Sequence, residues 1–240
     1  IATSFVSSGV DLIMANATTA LQAAAAATHT IPILGTSITE YGVALSLSDF
    51  NGTVGGNISG TSDLAPLDQQ AAMLQEWFPD AEKVGLLYCS GEPNSQYQVD
   101  VVKAELEEMG YTCTLYPFSD SNDLATITTS AAAESDVIYV PTDNTVASNT
   151  GIVDGICRPA KVPVIAGEEG ICAGCGVATL SISYYDIGYK TGEMAAQILT
   201  GEADIATTPI EYAPQFTKKY NAAICEELDL TAPEGYEAIG

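Results

Sequence analysis

The sequence contains few basic residues, and this shortage excludes a class of partners. Seven lysines and arginines stand against 31 aspartates and glutamates, which gives a formal net charge of −24. Such a charge repels phosphate backbones and anionic membrane surfaces, so we expect no nucleic-acid partner. A solvated surface explains this acidity more simply than a specific cation site does. No hydrophobic run reaches the length of about 18 residues that a membrane-spanning helix needs.

Catalytic motifs are also missing. The chain has no GxSxG, no GxGxxG after a predicted strand, no Walker sequence and no HExxH. Its only histidine, His29, follows a predicted helix and precedes a strand, so we expect a surface residue and not a catalytic base. The sequence therefore predicts no enzyme, no catalytic residue, no metal site and no cofactor.

Cysteines are too few for a disulfide scaffold of this length. Cys89 and Cys113 lie at or beside neighbouring predicted strands, where either a disulfide or two buried free thiols would fit. Cys172 and Cys175 have CxxC spacing, but a predicted strand follows them in place of the helix that would lower the first thiol's pKa. No histidine lies nearby to complete a zinc site. We interpret this pair as structural or incidental.

The middle of the chain contains one complete β-α-β unit. Val84–Tyr88 is a short apolar run, typical of a strand that is buried on both faces of a parallel sheet. Turn residues follow at Ser90–Ser95, with Ser or Asn available as a helix N-cap. Apolar residues then recur at helical spacing from Tyr97 to Met109, and Tyr111–Tyr116 predicts the next strand. In parallel sheets, ligands bind beyond the carboxyl ends of the strands, so the turn is a candidate site.

The same order of apolar strand, polar loop and helix recurs along the chain, and this alternation predicts an α/β fold with parallel sheets. The other predicted strands are Val10–Ala15, Ile31–Leu34, Asp136–Val140, Val162–Ala166, Val177–Ser183 and Ile210–Ala213, with a short extended segment inside Asn51–Ser62. The other predicted helices are Ala20–Thr28, Leu67–Phe78, Leu124–Ala133, Asn149–Arg158, Ile187–Leu199 and Tyr220–Leu228, and the tail from Thr231 is predicted to be irregular.

Polar residues collect in the loops after the predicted strands. Hydroxyls and amides at helix N-termini suit a ligand carboxylate, acidic side chains suit an ammonium group, and tyrosine rings stack on an aromatic ligand. The combination favours a zwitterionic amino acid, in particular an aromatic one, although each loop alone also fits an ordinary helix cap. The candidate ligand-binding residues are Thr18, Thr19, Thr39, Glu40, Ser90, Glu92, Asn94, Ser95, Asp143, Asn144, Glu168, Tyr184 and Tyr185.

Segments along nearly the whole chain resemble a known family. They are DLIMANATTALQAAA, IPILGTSITEYG, NISGTSDL, PDAEKVGLLYCSGEPNSQYQV, SDVIYVPTDNTVAS, PVIAGEEG and SISYYDIGYKTGEMAAQILTGE. In this order they resemble the substrate-binding proteins of ABC importers, in the family of tryptophan- and tyrosine-type binding proteins. Glu40-Tyr41 stands where that family has an acidic residue followed by proline.

The resemblance implies a type I periplasmic-binding fold, in which two Rossmann-like lobes with parallel sheets are joined by a hinge and close on a ligand. The first lobe would comprise residues 1–62 and 183–208, and the second residues 63–182 and 209–240. The family begins with a further β-α-β-α stretch, so we expect the first lobe to be incomplete in this sequence.

The resemblance also implies a function and a location. We expect a non-enzymatic, extracytoplasmic protein, secreted or lipid-anchored, that captures tryptophan, tyrosine or phenylalanine and delivers it to a membrane permease. One alternative is the same fold binding a sugar, a nucleoside or another small ligand, as a transport protein or as a sensor. A second alternative is an enzyme on an α/β scaffold, because fold does not fix function.

Overall fold

The computed structural model describes residues 1–239. Its strands are β1 (Ile13–Asn16), β2 (Ile33–Ile38), β3 (Ile58–Ser62), β4 (Lys83–Cys89), β5 (Thr112–Phe118), β6 (Val137–Val140), β7 (Val164–Ala166), β8 (Ala178–Ser181), β9 (Glu211–Tyr212), β10 (Thr217–Tyr220) and β11 (Glu237–Ala238). Its helices are α1 (Ala2–Ser7), α2 (Thr18–Ala27), α3 (Tyr41–Leu45), α4 (Leu67–Trp77), α5 (Pro93–Glu108), α6 (Ser121–Glu134), α7 (Asn144–Ala147), α8 (Thr150–Cys157), α9 (Glu169–Cys175), α10 (Tyr184–Thr200) and α11 (Ala222–Glu227).

The chain divides into two compact units. Unit 1 comprises Ile1–Leu64 and Ser183–Gln215. Unit 2 comprises Ala65–Ile182 and the chain from Phe216 onward. Each unit has its own sheet and its own buried apolar residues, as expected of a compact folding unit.

Unit 1 is built on a parallel sheet of four strands in the order β1-β2-β3-β9. Helix α2 packs on β1 and β2, and α10 packs on β2 and β3. The core includes Leu21 from α2 and Ile33 from β2, both fully buried. Because all four strands are parallel, their carboxyl ends lie at one edge, where the chain enters α2 and α3.

Unit 2 is built on a sheet of seven strands in the order β11-β10-β8-β7-β6-β4-β5. The five strands from β8 to β5 are parallel, whereas β10 pairs antiparallel with β8. Strands β6, β7 and β8 consist entirely of buried residues, as expected of central parallel strands covered by helices on both faces. The predicted α/β class with parallel sheets is confirmed.

Several boundaries differ from the predictions where a helix begins. The predicted strand Val177–Ser183 and helix Ile187–Leu199 leave Tyr184–Asp186 between them as a turn, but these residues form the first turn of α10. Ser183 caps this helix by accepting a hydrogen bond from the Asp186 N–H. Helix α5 begins at Pro93 and not at Tyr97, because proline fits the first helical position. The loops predicted after β6 and β7 contain α7 and α9, which are too short to show a helical period.

The C-terminal region also differs from the prediction. Tyr220 was predicted to open the last helix but ends strand β10, and α11 is limited to Ala222–Glu227. Strand β10 has the sequence TKKY, whose two lysines conceal it from a search for apolar runs. The tail was predicted to be irregular, yet Glu237–Ala238 pairs with β10.

Two glycines in β2 and β3 leave room for a buried tyrosine in unit 1. Gly35 and Gly60 are opposite each other in the strand register, and the hydroxyl of Tyr41 donates to the carbonyl oxygen of Thr61 at 3.1 Å. The Tyr41 side chain is 1% exposed. A Cβ on Gly60 would collide with the Gly35 carbonyl oxygen and with the Tyr41 hydroxyl, and Gly60 has φ +144°, which L side chains rarely adopt.

We therefore predict that Gly60→Ala lowers the unfolding free energy by about 3 kcal/mol, through overpacking and backbone strain together. Gly56→Ala is the control for a positive φ without crowding, because Gly56 has φ +60°, in the left-handed region that L residues adopt at modest cost, and a Cβ added there would meet no atom within 4 Å. Gly56→Ala introduces this modest backbone strain and no overpacking, so it should lower the unfolding free energy by about 1 kcal/mol. Urea unfolding of both variants measures the difference, and equal losses would contradict the packing argument.

Candidate functional site

We call the edge of each sheet at which the parallel strands end its polar edge. Asp143 lies at the centre of the polar edge of unit 2. It follows β6, its side chain is 1% exposed, and its carboxylate accepts hydrogen bonds from the backbone N–H groups of Cys89 at 2.7 Å and Val146 at 2.9 Å. Burial raises the pKa of Asp143, and the nearby charge of Glu92 raises it further, whereas these N–H groups and the Ser95 hydroxyl act in the opposite direction. The side chain thus ties the end of β4 to α7.

Glu92 connects the first turn of α5 to α7. One carboxylate oxygen accepts from the backbone N–H and the side-chain amide of Asn144, at 3.0 and 2.8 Å. The other oxygen accepts from the backbone N–H and the hydroxyl of Thr145, at 2.9 and 2.7 Å. A carboxylate offers about four lone-pair positions, so bonds within unit 2 already satisfy Glu92.

A buried amide network continues from Glu92 along α5. Asn94 donates from its side chain to the carbonyl oxygen of Thr142 at 3.2 Å. Gln98 donates to the same oxygen at 3.1 Å and accepts from the Thr142 N–H at 3.0 Å. Ser95 is fully buried beside them. Gln98 was not among the predicted site residues, although its position four residues after Asn94 places it on the same helix face.

Two further candidates of unit 2, Glu168 and Ser90, form hydrogen bonds outside the network of Asp143, Glu92 and Thr142. Glu168 caps α9, where its carboxylate accepts from the backbone N–H groups of Gly170, at 2.7 Å, and Ile171. Burial raises the pKa of Glu168, and the same two N–H groups oppose this rise. Ser90 is exposed and donates its hydroxyl to the carbonyl oxygen of Phe118 at the end of β5, at 3.1 Å.

The candidates of unit 1 lie after β1 and β2. Thr18 is the first residue of α2 and is buried, whereas Thr19 is exposed. Thr39 is buried, and its carbonyl oxygen accepts from the Ser62 hydroxyl at 2.9 Å. Glu40 caps α3 by accepting from the Val43 N–H at 2.5 Å.

Backbone strain marks the same loops of unit 1. Ala17 has φ +69° and Ser37 has φ +55°, values that residues with a side chain seldom adopt. Ala17 directly precedes α2, and Ser37 lies near the end of β2. Strained positions of this kind cluster at binding and active sites, because the surrounding structure must hold them there.

The two candidate tyrosines lie at the start of α10. Tyr184 is 39% exposed and donates its hydroxyl to the Asp63 carboxylate at 3.3 Å. Tyr185 is 78% exposed and stacks on Tyr189, with ring centroids 6.4 Å apart and planes inclined by 24°. Unit 1 therefore exposes aromatic ring surface beside the carboxyl end of β3.

Comparison with known proteins identifies the family. The sequence model of the family described as ABC transporter substrate binding protein matches residues 1–238. The chain belongs to this family. The resemblance to ABC importer substrate-binding proteins that the sequence motifs indicated is thus confirmed.

One curated relative of this substrate-binding protein is a tyrosine-binding protein from Clostridioides difficile (strain R20291), which is 37% identical over 216 residues. The match covers 88% of this chain and 61% of the relative, so the chain spans less than two thirds of that protein's length.

Two solved structures are similar over 99% of this chain. An ABC domain in complex with L-Trp from Streptococcus pneumonia has a TM-score of 0.92 and 32% identity, with 84% of its own chain covered. The ligand-free, open structure of a substrate binding protein with adhesive properties from Clostridium difficile has a TM-score of 0.74 and 36% identity, with 81% covered. A binding protein for D-allose from Actinobacillus succinogenes is only 15% identical, and it supports the fold alone.

All six cysteines are free thiols, and Cys172 and Cys175 are buried in α9, which is followed by the predicted strand.

Within residues 1–239, no group of three histidine, cysteine or acidic side chains is arranged to hold a metal ion. No helix among these residues is long and apolar enough to cross a membrane. His29 is exposed, as predicted.

We predict that Glu92→Gln loosens α7, because an amide oxygen accepts fewer hydrogen bonds than a carboxylate and its NH2 group faces donors. The unfolding free energy should fall by about 2 kcal/mol, and amide hydrogen exchange should accelerate at Asn144 and Thr145. Glu108→Gln is the control, since Glu108 is an exposed glutamate at the other end of the same helix. Equal exchange rates at the two amides in both variants would refute the connecting role.

A pH dependence follows from the raised pKa of Asp143. Because the folded pKa exceeds the unfolded value, the folded state binds this proton more tightly, and the stability contributed at low pH is lost as pH rises through the folded pKa. In the wild type, the unfolding free energy should therefore decrease as pH rises from about the ordinary carboxyl pKa of 3.8. Asp143→Asn has no carboxyl group to titrate at this position and should lack that decrease. Urea unfolding between acidic and neutral pH tests this, with the exposed Asp80→Asn as control. Identical pH slopes in wild type and Asp143→Asn would contradict it.

Proposed function

We propose that this substrate-binding protein captures an aromatic amino acid and delivers it to the membrane permease of an ABC importer. The observation that carries this proposal is the similarity to a domain in complex with L-Trp, at 32% identity over 99% of the chain. The name of the tyrosine-binding relative supports the same class of ligand. An importer's binding protein acts outside the cytoplasm, so we propose an extracytoplasmic location.

The polar edges supply groups for each part of such a ligand. A ligand carboxylate would be held by hydroxyl and backbone N–H groups at the start of α2, where Thr18 and Thr19 lie and no side chain caps the helix. The rings of Tyr184 and Tyr185 provide surface for an aromatic side chain. Asp143 provides negative charge for the ammonium group.

The remaining candidates fall into two groups within the proposal. Glu92, Glu40 and Glu168 each bond backbone N–H groups at the start of a helix, and we assign them the role of positioning their loops. We propose that the other polar candidates contact the ligand; they are Thr39, Ser90, Asn94, Ser95 and Asn144. We also propose that units 1 and 2 are the two lobes expected of the fold.

A thermal-shift screen with the twenty amino acids, several sugars and several nucleosides tests the ligand class. We expect L-tyrosine, L-tryptophan or L-phenylalanine to raise the melting temperature selectively. A ligand at 100 times its dissociation constant stabilises the folded state by about 2.7 kcal/mol, which such a screen detects. Mass spectrometry of ligand that co-purifies with the protein provides an independent measurement.

Other outcomes of the screen separate the rival functions. A response to a sugar or a nucleoside alone would retain the binding-protein class and refute the amino acid assignment. Conversion of any ligand into a product, followed by mass spectrometry, would favour the enzyme alternative. Retention of the aromatic response in a Tyr184→Ala, Tyr185→Ala double variant would remove the two tyrosines from the proposed contacts.

A further inference from the structure

Unit 1 contains a pocket of about 300 Å³ between α10 and β9. Helix α10 contributes Asp186, Tyr189 and Glu193, which share a helix face because they are spaced by three, four and seven residues. Strand β9 contributes Glu211 and Tyr212 on the other side. The volume lies at the lower end of the range for small-molecule sites, so the ligand must be small.

The pocket does not coincide with the proposed amino acid site. None of its lining residues is among the side chains that we assign to the ligand's carboxylate, ammonium or ring. Its buried wall includes Thr61, whose hydroxyl is paired with the hydroxyl of Thr191 at 2.8 Å. The pocket wall is thus a bonded part of the unit 1 fold, and the site needs an explanation of its own.

The charge of the pocket selects against anions. The lining includes three acidic residues, Asp186, Glu193 and Glu211, and one basic residue, Lys190. Lys190 pairs with Glu193 at 3.9 Å, and both side chains are more than 40% exposed, so this ion pair is weak and a ligand can replace it. The net charge of −24 on the whole chain adds to the attraction for a cation.

The aromatic rings distinguish an organic cation from a metal ion. Tyr189 is 62% exposed and Tyr212 is 52% exposed, and stacking against Tyr185 supports the ring of Tyr189. Tyrosine rings attract ammonium groups through their faces, whereas a metal site needs several oxygen, nitrogen or sulfur ligands in fixed geometry. No such group of acidic, histidine or cysteine ligands occurs within residues 1–239. Ala213 and Pro214 add apolar surface for an alkyl chain.

We propose that this pocket binds a small organic ammonium compound. The ammonium group lies among the carboxylates and against the tyrosine rings, and its alkyl chain contacts the apolar lining. The pocket shares no lining residue with the proposed amino acid site, although Tyr185 of that site stacks on Tyr189 of the pocket. Occupation of the pocket does not depend on the proposed amino acid function.

Calorimetric titration with n-butylammonium tests the proposal, with butanoate and 1-butanol as anionic and neutral probes of similar shape. Saturable binding of n-butylammonium with one site per chain is expected, and neither of the other probes should bind. Binding should weaken at high salt, because the pocket attracts the probe partly through exposed charges.

Matched variants localise the site. Glu211→Gln and Tyr212→Ala should each weaken n-butylammonium binding about fivefold, the equivalent of about 1 kcal/mol, whereas Tyr212→Phe keeps the ring and should bind as wild type does. Glu202→Gln is the charge-matched control, since Glu202 is exposed and lies in unit 1 outside the pocket. Circular dichroism and thermal unfolding verify that each variant is folded.

Three outcomes would overturn the proposal. The first is the absence of saturable n-butylammonium binding. The second is an equal loss in Glu202→Gln and Glu211→Gln, which would reduce the effect to general charge attraction. The third is displacement of n-butylammonium by L-tyrosine or L-tryptophan, which would place the cation in the amino acid site. Failure of the aromatic amino acids to bind would leave the pocket proposal standing, so the two proposals fail separately.

Discussion

The backbone N–H groups at a helix N-terminus have no partner within the helix, and the polar edges of both units depend on satisfying them. Side-chain oxygens do so at α3, α6, α7, α9 and α10, where the capping residues are Glu40, Asp120, Asp143, Glu168 and Ser183. Asn221 caps α11 in the same way, although α11 follows the antiparallel strand β10 and begins at the opposite edge of the unit 2 sheet. Four of these six caps are acidic, which suits the positive end of the helix dipole. Part of the chain's high acidity therefore has a structural cause.

Capping explains why side chains that suit a ligand are also necessary to the fold. The carboxylates of Asp143 and Glu92 join α5, β4 and α7 into one hydrogen-bonded edge, and Gln98 attaches Thr142 to the same helix. A loop fixed by so many bonds keeps its polar atoms in place before a ligand arrives. Less conformational freedom is then lost on binding, which is the physical basis of preorganisation.

The sequence predicted what depends on local patterns. Apolar runs located the central strands, because a strand buried on both faces must be apolar throughout, and amphipathic spacing located the long helices. Helix α7 has only four residues and shows no period, and β10 carries two lysines, so neither was found. The bonds of Glu92 were also out of reach, because they require β4 and β6 to be sheet neighbours although β5 lies between them in the chain. Candidate residues could be named from their loops, but their partners follow from this non-local pairing.

Burying a carboxylate costs free energy at the polar edge of unit 2, where we propose that the ligand's ammonium group binds. Burial raises the pKa of Asp143, which means that the fold disfavours its ionised form, and the charge of Glu92 increases this penalty. The N–H groups of Cys89 and Val146 offset only part of it. A ligand ammonium close to Asp143 would stabilise the ionised form and lower this pKa again. Ligand binding and the stability of the edge would thus be coupled through one charge, and an uncharged sugar would lack this favourable term.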